Sequence, residues 1–194
     1  MTGLRCFFIL ELVQDSSSTT HLSSGTLIDN NVLKSVNLIK TIFLEEEPVF
    51  TNILVALDGS KVSQRALIEA VDLARLMKAR MQAIYVMETV ASALNARDRP
   101  MGMDTLELYH LLEKEGNDVL EEAEQYCTDK GISVIPHLKQ GDAGTEIISL
   151  SEQEKCDLII VGSHGKSGFN RLFLGSVSSF VIKNTKVTTM VVRG

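Results

Sequence analysis

From residue 52 onward, short apolar runs alternate with longer stretches in which apolar residues recur every three or four positions. The runs NILVAL (52–57), RMQAIYVM (80–87), ISVIPHLKQG (132–141), CDLIIVG (156–162) and KVTTMVVRG (186–194) are rich in β-branched residues and predict strands. Pro136 in the third points to a sheet edge, because proline lacks the N–H that a central strand must donate. The stretches between them predict helices. In SKVSQRALIEAVDLARLMKA (60–79), Val62, Ala66, Ala70, Ala74 and Met77 share one face behind a capping Ser60. TLELYHLLEKEGNDVLEEAEQYCTDKG (105–131) carries a stripe of Leu112, Gly116, Val119, Ala123 and Tyr126, with Gly131 as terminator. DAGTEIISLSEQEK (142–155) and GSVSSFVIKNT (175–185) complete the set, and a polar loop of unusual length runs from residue 88 to about 104.

Strands that alternate with helices require right-handed crossovers and a mainly parallel sheet. Runs such as NILVAL and LIIV are apolar almost throughout, as strands buried on both faces must be. The expected fold class is α/β: a five-stranded, mainly parallel, doubly wound sheet of flavodoxin-like type with helices on both faces. The first 48 residues have a different texture. QDSSSTTHLSSG (14–25) reads as a flexible loop, DNNVLKSVNLIKTIF (29–43) has Val32, Val36, Ile39 and Phe43 at helical spacing, and EEEP (45–48) punctuates the chain. Residues 1–48 are therefore expected to be an N-terminal extension of unassigned role, and 49–194 a single domain.

Composition narrows the function classes. A net charge of −6 is the wrong sign for a nucleic-acid surface, which needs basic groups to displace counterions. No apolar run approaches the ~18 residues of a membrane span, and the apolar start of the chain is interrupted by Glu11. Cys6, Cys127 and Cys156 lie far apart without metal-ligand spacing, which fits buried thiols in a reducing cytoplasm. His21, His110 and His137 have no partners at useful spacing and are assigned no role.

The candidate chemistry lies in GSHGKSGFNRLFLGS (162–176), just after the fourth strand. GKS (165–167) suggests a Walker A loop, but the glycine required five positions earlier is Ile160. A dinucleotide fingerprint needs GxGxxG, whereas Gly162, Gly165 and Gly168 are spaced by threes. ALDGS (56–60) resembles an aspartyl-phosphatase loop except that the nucleophile position holds Ala56. A response-regulator receiver would need an aspartate ending the third strand, and HLKQG (137–141) has none.

What remains is Gly162-x2-Gly165-x9-Gly175-Ser176. Gly162 and Gly165 would let the backbone turn sharply and approach a ligand, with their N–H groups forming an anion nest. Ser176 would cap the last helix, leaving free N–H groups on Val177 and Ser178 for an anion at the helix N-terminus. In an open parallel sheet the ligand crevice lies beyond the carboxyl ends of the strands where strand order reverses. The first and fourth strands, ending in Asp58 and Gly162, are expected to straddle that reversal.

NILVALDGS (52–60), GDAGTEII (141–148), CDLIIVGSHGKSGFNRLFLGSVSSFVI (156–182) and VVR (191–193) together resemble the universal stress protein family, and the glycine spacing resembles its ATP-binding branch. The resemblance implies an adenine nucleotide α-hydrolase-like fold. It implies that Ala56, Leu57 and Asp58 contact the adenosine, with Asp58 near the ribose or a phosphate-bound metal. Val86 would lie beside the adenine and Val161 would line the same pocket. Gly162, Gly165, Gly175, Ser176, Val177 and Ser178 would bind ribose and phosphates. The implied ligand is ATP, with Mg2+ bound through the phosphates, and the implied partner is a second copy paired through the last strand. There the chain has NTKVTTM (184–190) in place of the family's usual Pro- and Cys-containing segment, which leaves the dimer geometry open.

No catalytic residue is expected. His164, between two loop glycines, reads as a loop residue, and Lys166 and Arg171 are either phosphate-neutralising or solvated charges. The expected role is a cytoplasmic, nucleotide-binding regulatory module; the competing readings are a slow metal-assisted ATP hydrolase and a dimeric interaction module that binds AMP or no nucleotide.

Overall fold

The computed structural model describes residues 48–87, 89, 104–166 and 174–193. The expected N-terminal extension, with its helix at 29–43, falls outside the described residues apart from Pro48, and so do Cys6, His21, Arg171, Met101 and Met103. From Pro48 the chain forms one compact unit. Its elements are β1 (Asn52–Leu57), α1 (Lys61–Met77), β2 (Arg80–Met87), α2 (Thr105–Asp129), β3 (Val134–Gln140), α3 (Ala143–Gln153), β4 (Leu158–Gly162), α4 (Ser176–Asn184) and β5 (Thr188–Val192).

All five strands are parallel, in the order β3-β2-β1-β4-β5. The fold class is the expected one, and its strand order is 3-2-1-4-5 rather than the 2-1-3-4-5 of flavodoxin. That order sets β4 directly beside β1, with Val55 opposite Ile160, so the reversal falls between them. Pro136 lies on β3, an edge strand, where its missing N–H breaks no ladder bond.

The alternation of side chains along each strand divides the core in two. Ile53, Val55, Met81, Ala83, Leu158 and Ile160 face α1 and α2. Leu54, Ile84, Ile159 and Val161 face α3 and α4. Ala66, Ala70 and Ala74 of α1 are fully buried, and their small size lets that helix lie close on β1. Ser60 caps it as expected, accepting from Ser63 N at 3.1 Å. In α2 the stripe is rotated from the expected one: Leu108, Gly116, Leu120, Ala123 and Cys127 are buried, while Leu112, Val119 and Tyr126 are only partly covered. The N-terminus of α2 is closed by a reciprocal capping box between Asp104 and Glu107, and Gly131 lies beyond its end at φ +73°.

Cys127 and Cys156 are free and buried, and burial pushes both thiols up to about 11. They are inert apolar fillers at neutral pH, as expected. Among the described residues, no helix is long and apolar enough to cross a membrane.

Candidate functional site

The β1 end is shaped by a turn at Asp58–Gly59–Ser60. Gly59 adopts φ +77°, a conformation that L side chains rarely take. Asp58 does not cap α1. Its Oδ1 accepts from Ser60 N at 3.0 Å, and its Oδ2 accepts from Lys166 N at 3.1 Å. One carboxylate thus joins the loop after β1 to the loop after β4, 108 residues away.

On the β4 side, the three glycines sit where packing leaves little space for a Cβ. Gly162, Gly165 and Gly175 are not among the residues at positive φ, so no left-handed turn demands them. Space does. A Cβ at Gly165 would fall 2.5 Å from Asp58 Oδ2, and one at Gly162 would lie 3.1 Å from Val62 Cγ1. A Cβ at Gly175 would lie 3.2 Å from His164 Cα and 3.3 Å from Ser163 O. The glycines allow the walls of the crevice to close on one another.

Ser163 joins that loop to α4. Gly175 N donates to Ser163 O at 2.6 Å, and Ser178 Oγ lies 3.2 Å from the same oxygen. The N-cap of α4 is Gly175 rather than Ser176, and Ser163 and His164 pack tightly against that position. Ser176 is instead the first helical residue and is exposed. The N–H groups of Ser176, Val177 and Ser178 therefore occupy the first turn and have no acceptor within the helix. Ser178 is buried, with its hydroxyl held by the Ser163 and Gly175 carbonyls; what it can offer a ligand is its backbone N–H.

The remaining expected residues separate by face. Ala56, Val86 and Val161 point to the α3/α4 side of the sheet. Leu57 points to the α1/α2 side, because strand side chains alternate, and only its backbone borders the crevice. Val161 is buried in the core, whereas Ala56 and Val86 are half-buried. A cavity of about 260 Å³ opens behind Leu57 and Gly59 between α1 and α2, lined also by Ser63, Leu67, Val119 and Tyr126. It lies on the opposite side of the sheet from Val86 and is separate from the glycine loop.

His164 Nδ1 meets the neighbouring Ser163 Oγ at 2.9 Å, a local contact that orients the ring without a carboxylate. Lys166 pairs through Nζ with Glu115 of α2 and lies 5.9 Å from the centre of the Tyr85 ring. Burial lowers the Lys166 pKa, but Glu115 and Tyr85 more than offset this and hold it above its usual range. The Tyr85 hydroxyl is pushed up, mainly by burial. Gly59, Ser163, Tyr85 and Glu115 were not anticipated as site residues. The Asp58-Gly59 pair is a recognisable turn signal, but nothing in the spacing links Glu115 to a loop 51 residues away. Among the described residues, no group of three or more His, Cys, Asp or Glu side chains could hold a metal ion.

A sequence model described as the universal stress protein family matches residues 50–193. Universal stress protein MJ0531 of Methanocaldococcus jannaschii is 30% identical over 156 residues, covering 80% of this chain and 89% of that protein. The solved structure of MJ0577 from the same organism superposes with a TM-score of 0.64 at 26% identity, covering 75% of this chain and 97% of that one. A universal stress protein solved in complex with cAMP has a TM-score of 0.54 at 21% identity, covers 74% of this chain and 97% of that one, and shows the shared fold. With the strand order, the glycine loop and the match extending over the whole described unit, the chain belongs to the universal stress protein family.

Proposed function

We propose that residues 49–194 form a nucleotide-binding domain that holds ATP in the crevice beyond β1 and β4, and that its output is regulatory rather than catalytic. One observation carries this reading. A continuous series of contacts runs from Asp58 to Gly165 and Lys166, and from Ser163 and His164 to Gly175 and Ser178, so both strand ends and the start of α4 form one wall. The wall is electrically polarised. At the α4 end lie unpaired helical N–H groups and the positive end of the helix dipole, suited to phosphate. At the β1 end lies the Asp58 carboxylate, which repels phosphate but retains lone pairs for ribose hydroxyls. Sugar and phosphates are thereby ordered along the crevice, with the half-buried Ala56 and Val86 left for the base.

The helix terminus alone contributes only ~0.3–1 kcal/mol per charge. Micromolar affinity requires about 8 kcal/mol, so binding must combine the first-turn N–H groups, the loop N–H groups and burial of the base. Mg2+ fits this scheme as an ion bound through phosphate oxygens and water, which is its usual mode. His164 is oriented by a serine hydroxyl rather than a carboxylate, which does not make it an activated base.

A homodimer through β5 accompanies this reading. β5 is an edge strand, and Met190 on it, like Phe180 and Ile182 on α4, is exposed. The reduced, buried Cys127 and Cys156 fit a cytoplasmic setting.

The test is equilibrium binding of ATP and AMP to the parent chain and to Gly175→Val. The parent is expected to bind, and the valine, forced against His164 and Ser163, to weaken binding by ~100-fold or more, about 2.7 kcal/mol. No binding by the parent at millimolar nucleotide would sink the proposal. Turnover faster than about 1 s⁻¹ would replace it with an enzyme.

A further inference from the structure

Lys166 immediately follows Gly165, yet its ammonium does not lie on the side of the sheet that carries α4. It crosses to the α1/α2 side, where it pairs with Glu115 Oε1 and lies 5.9 Å from the centre of the Tyr85 ring. Three independent features converge on this arrangement. The Lys166 backbone N–H is bonded to Asp58, so both ends of the residue are anchored. The Gly59 position lies directly beneath the lysine stem, where a Cβ would be 3.5 Å from Lys166 Cε. Gly116, next to Glu115, removes a side chain where a Cβ would fall 2.5 Å from Leu138 Cδ1 and 2.9 Å from Tyr85 Cδ1. Glycine within a helix is otherwise unfavourable by roughly 1 kcal/mol relative to alanine. Here it draws α2 onto the sheet and brings Glu115 within reach of the loop.

We propose that Glu115 is a positioning residue for the nucleotide loop: through the Lys166 ammonium it holds the Gly162–Lys166 turn against Asp58, so that the anion-binding backbone is set before nucleotide arrives. The inference rests on the reading that nucleotide binds at this loop. Preset geometry raises affinity by reducing the ordering entropy lost on binding. Both side chains are roughly half exposed, 48% for Lys166 and 43% for Glu115, so solvent screening limits the effect to that of a surface pair. Because the lysine is held away from α4, it neutralises no phosphate, and its contribution does not depend on how many phosphates the ligand has.

The experiment is calorimetric titration of the full chain with ATP and with AMP, for the parent, Glu115→Gln, Lys166→Met and the double variant, alongside ligand-free melting curves. Each single variant is expected to weaken both nucleotides by the same ~2–5-fold. The double variant is expected to be no weaker than either single one, because both remove the same interaction. Melting of the ligand-free chain should be nearly unchanged, which separates positioning from a structural role. Tighter ATP binding by Glu115→Gln would overturn the inference, and so would a Lys166→Met loss that grows from AMP to ATP, since either would make the lysine a phosphate ligand. Losses that add in the double variant would also overturn it. If the parent binds and Glu115→Gln binds equally well, this inference alone falls; if the parent binds neither nucleotide, the functional reading falls with it.

Discussion

The two ends of the β1–β4 pair are built from the same kinds of residue and do opposite things. At the amino-terminal end, polar groups are closed on one another. Asp157 accepts from Thr51 N, Thr51 Oγ1 and Asn52 N, at 2.7, 2.6 and 3.0 Å. Asn52, fully buried, donates to Glu154 O at 2.7 Å and accepts from Gln82 Nε2 at 3.2 Å. Gln82 Oε1 meets His137 Nε2 at 2.7 Å, which extends the chain of contacts toward the β3 edge. At the carboxyl end, by contrast, Asp58 and Ser163 fasten loops together and the first turn of α4 is left without helical acceptors. A buried polar group without a partner costs about 1–3 kcal/mol, so the first end is a stability device and the second holds its donors where a ligand or water can reach them. In a parallel sheet both ends carry loops, and what distinguishes them here is whether the polar groups are already paired.

The largest expected effect that separates the ends is at Asn52. Asn52→Leu leaves the buried Gln82 Nε2 without its partner, although Gln82 Oε1 keeps His137, and removes the donor to the Glu154 carbonyl; it should lower unfolding stability by about 1–3 kcal/mol. Denaturant titration measures it, and nucleotide affinity extrapolated to the folded protein should not change. A matching loss of affinity would mean that the two ends are coupled. Next is Gly165→Ala, whose Cβ would press on Asp58 Oδ2 and loosen the bracket between the loops. Affinity should fall ~10-fold, equivalent to 1.4 kcal/mol, with stability changed by less than that. A variant that loses stability but binds normally would make the bracket a structural feature only.

The smallest effect is a pH dependence to which the closed end contributes. Burial lowers the His137 pKa, so between that depressed value and ~6.5 the unfolded chain binds more protons than the folded one. Stability is therefore full above ~6.5 and declines as pH falls through the folded value. Asp157 is partly desolvated, which raises its pKa, but its bonds from Thr51 and Asn52 prevail and hold it below the usual range. A second loss should therefore begin below ~3.9 and continue through its folded value. Thermal melting across pH in the parent and in His137→Gln checks this: the variant should lack the first decline and keep the second.

Much of the fold was legible. The strands expected at 52–57 and 80–87 have those boundaries in the structure, since each is an apolar run ended by polar or turn residues and buried on both faces. The rotation of the α2 stripe was not legible: Gly116 and Ala123 are on both the expected and the observed stripe, but whether Leu120 and Cys127 or Val119 and Tyr126 complete it depends on what the helix packs against. In the site, the glycine spacing was visible and its cause was not: Gly165 answers to Asp58, and Gly175 to Ser163 and His164. Ser176 looked like a cap by composition alone, whereas capping by Gly175 follows from tertiary packing.

The sequence by itself determined the alternation of strands and helices, the burial of the sheet on both faces and the positions of Asp58 and the loop glycines. These follow from local period and residue type, which act within a few residues. Only the tertiary structure decided that Leu57 turns away from the crevice and that Lys166 is tied to Glu115 rather than to α4. Those outcomes depend on strand order and on which side chains meet across long loops, and no local pattern encodes such distances.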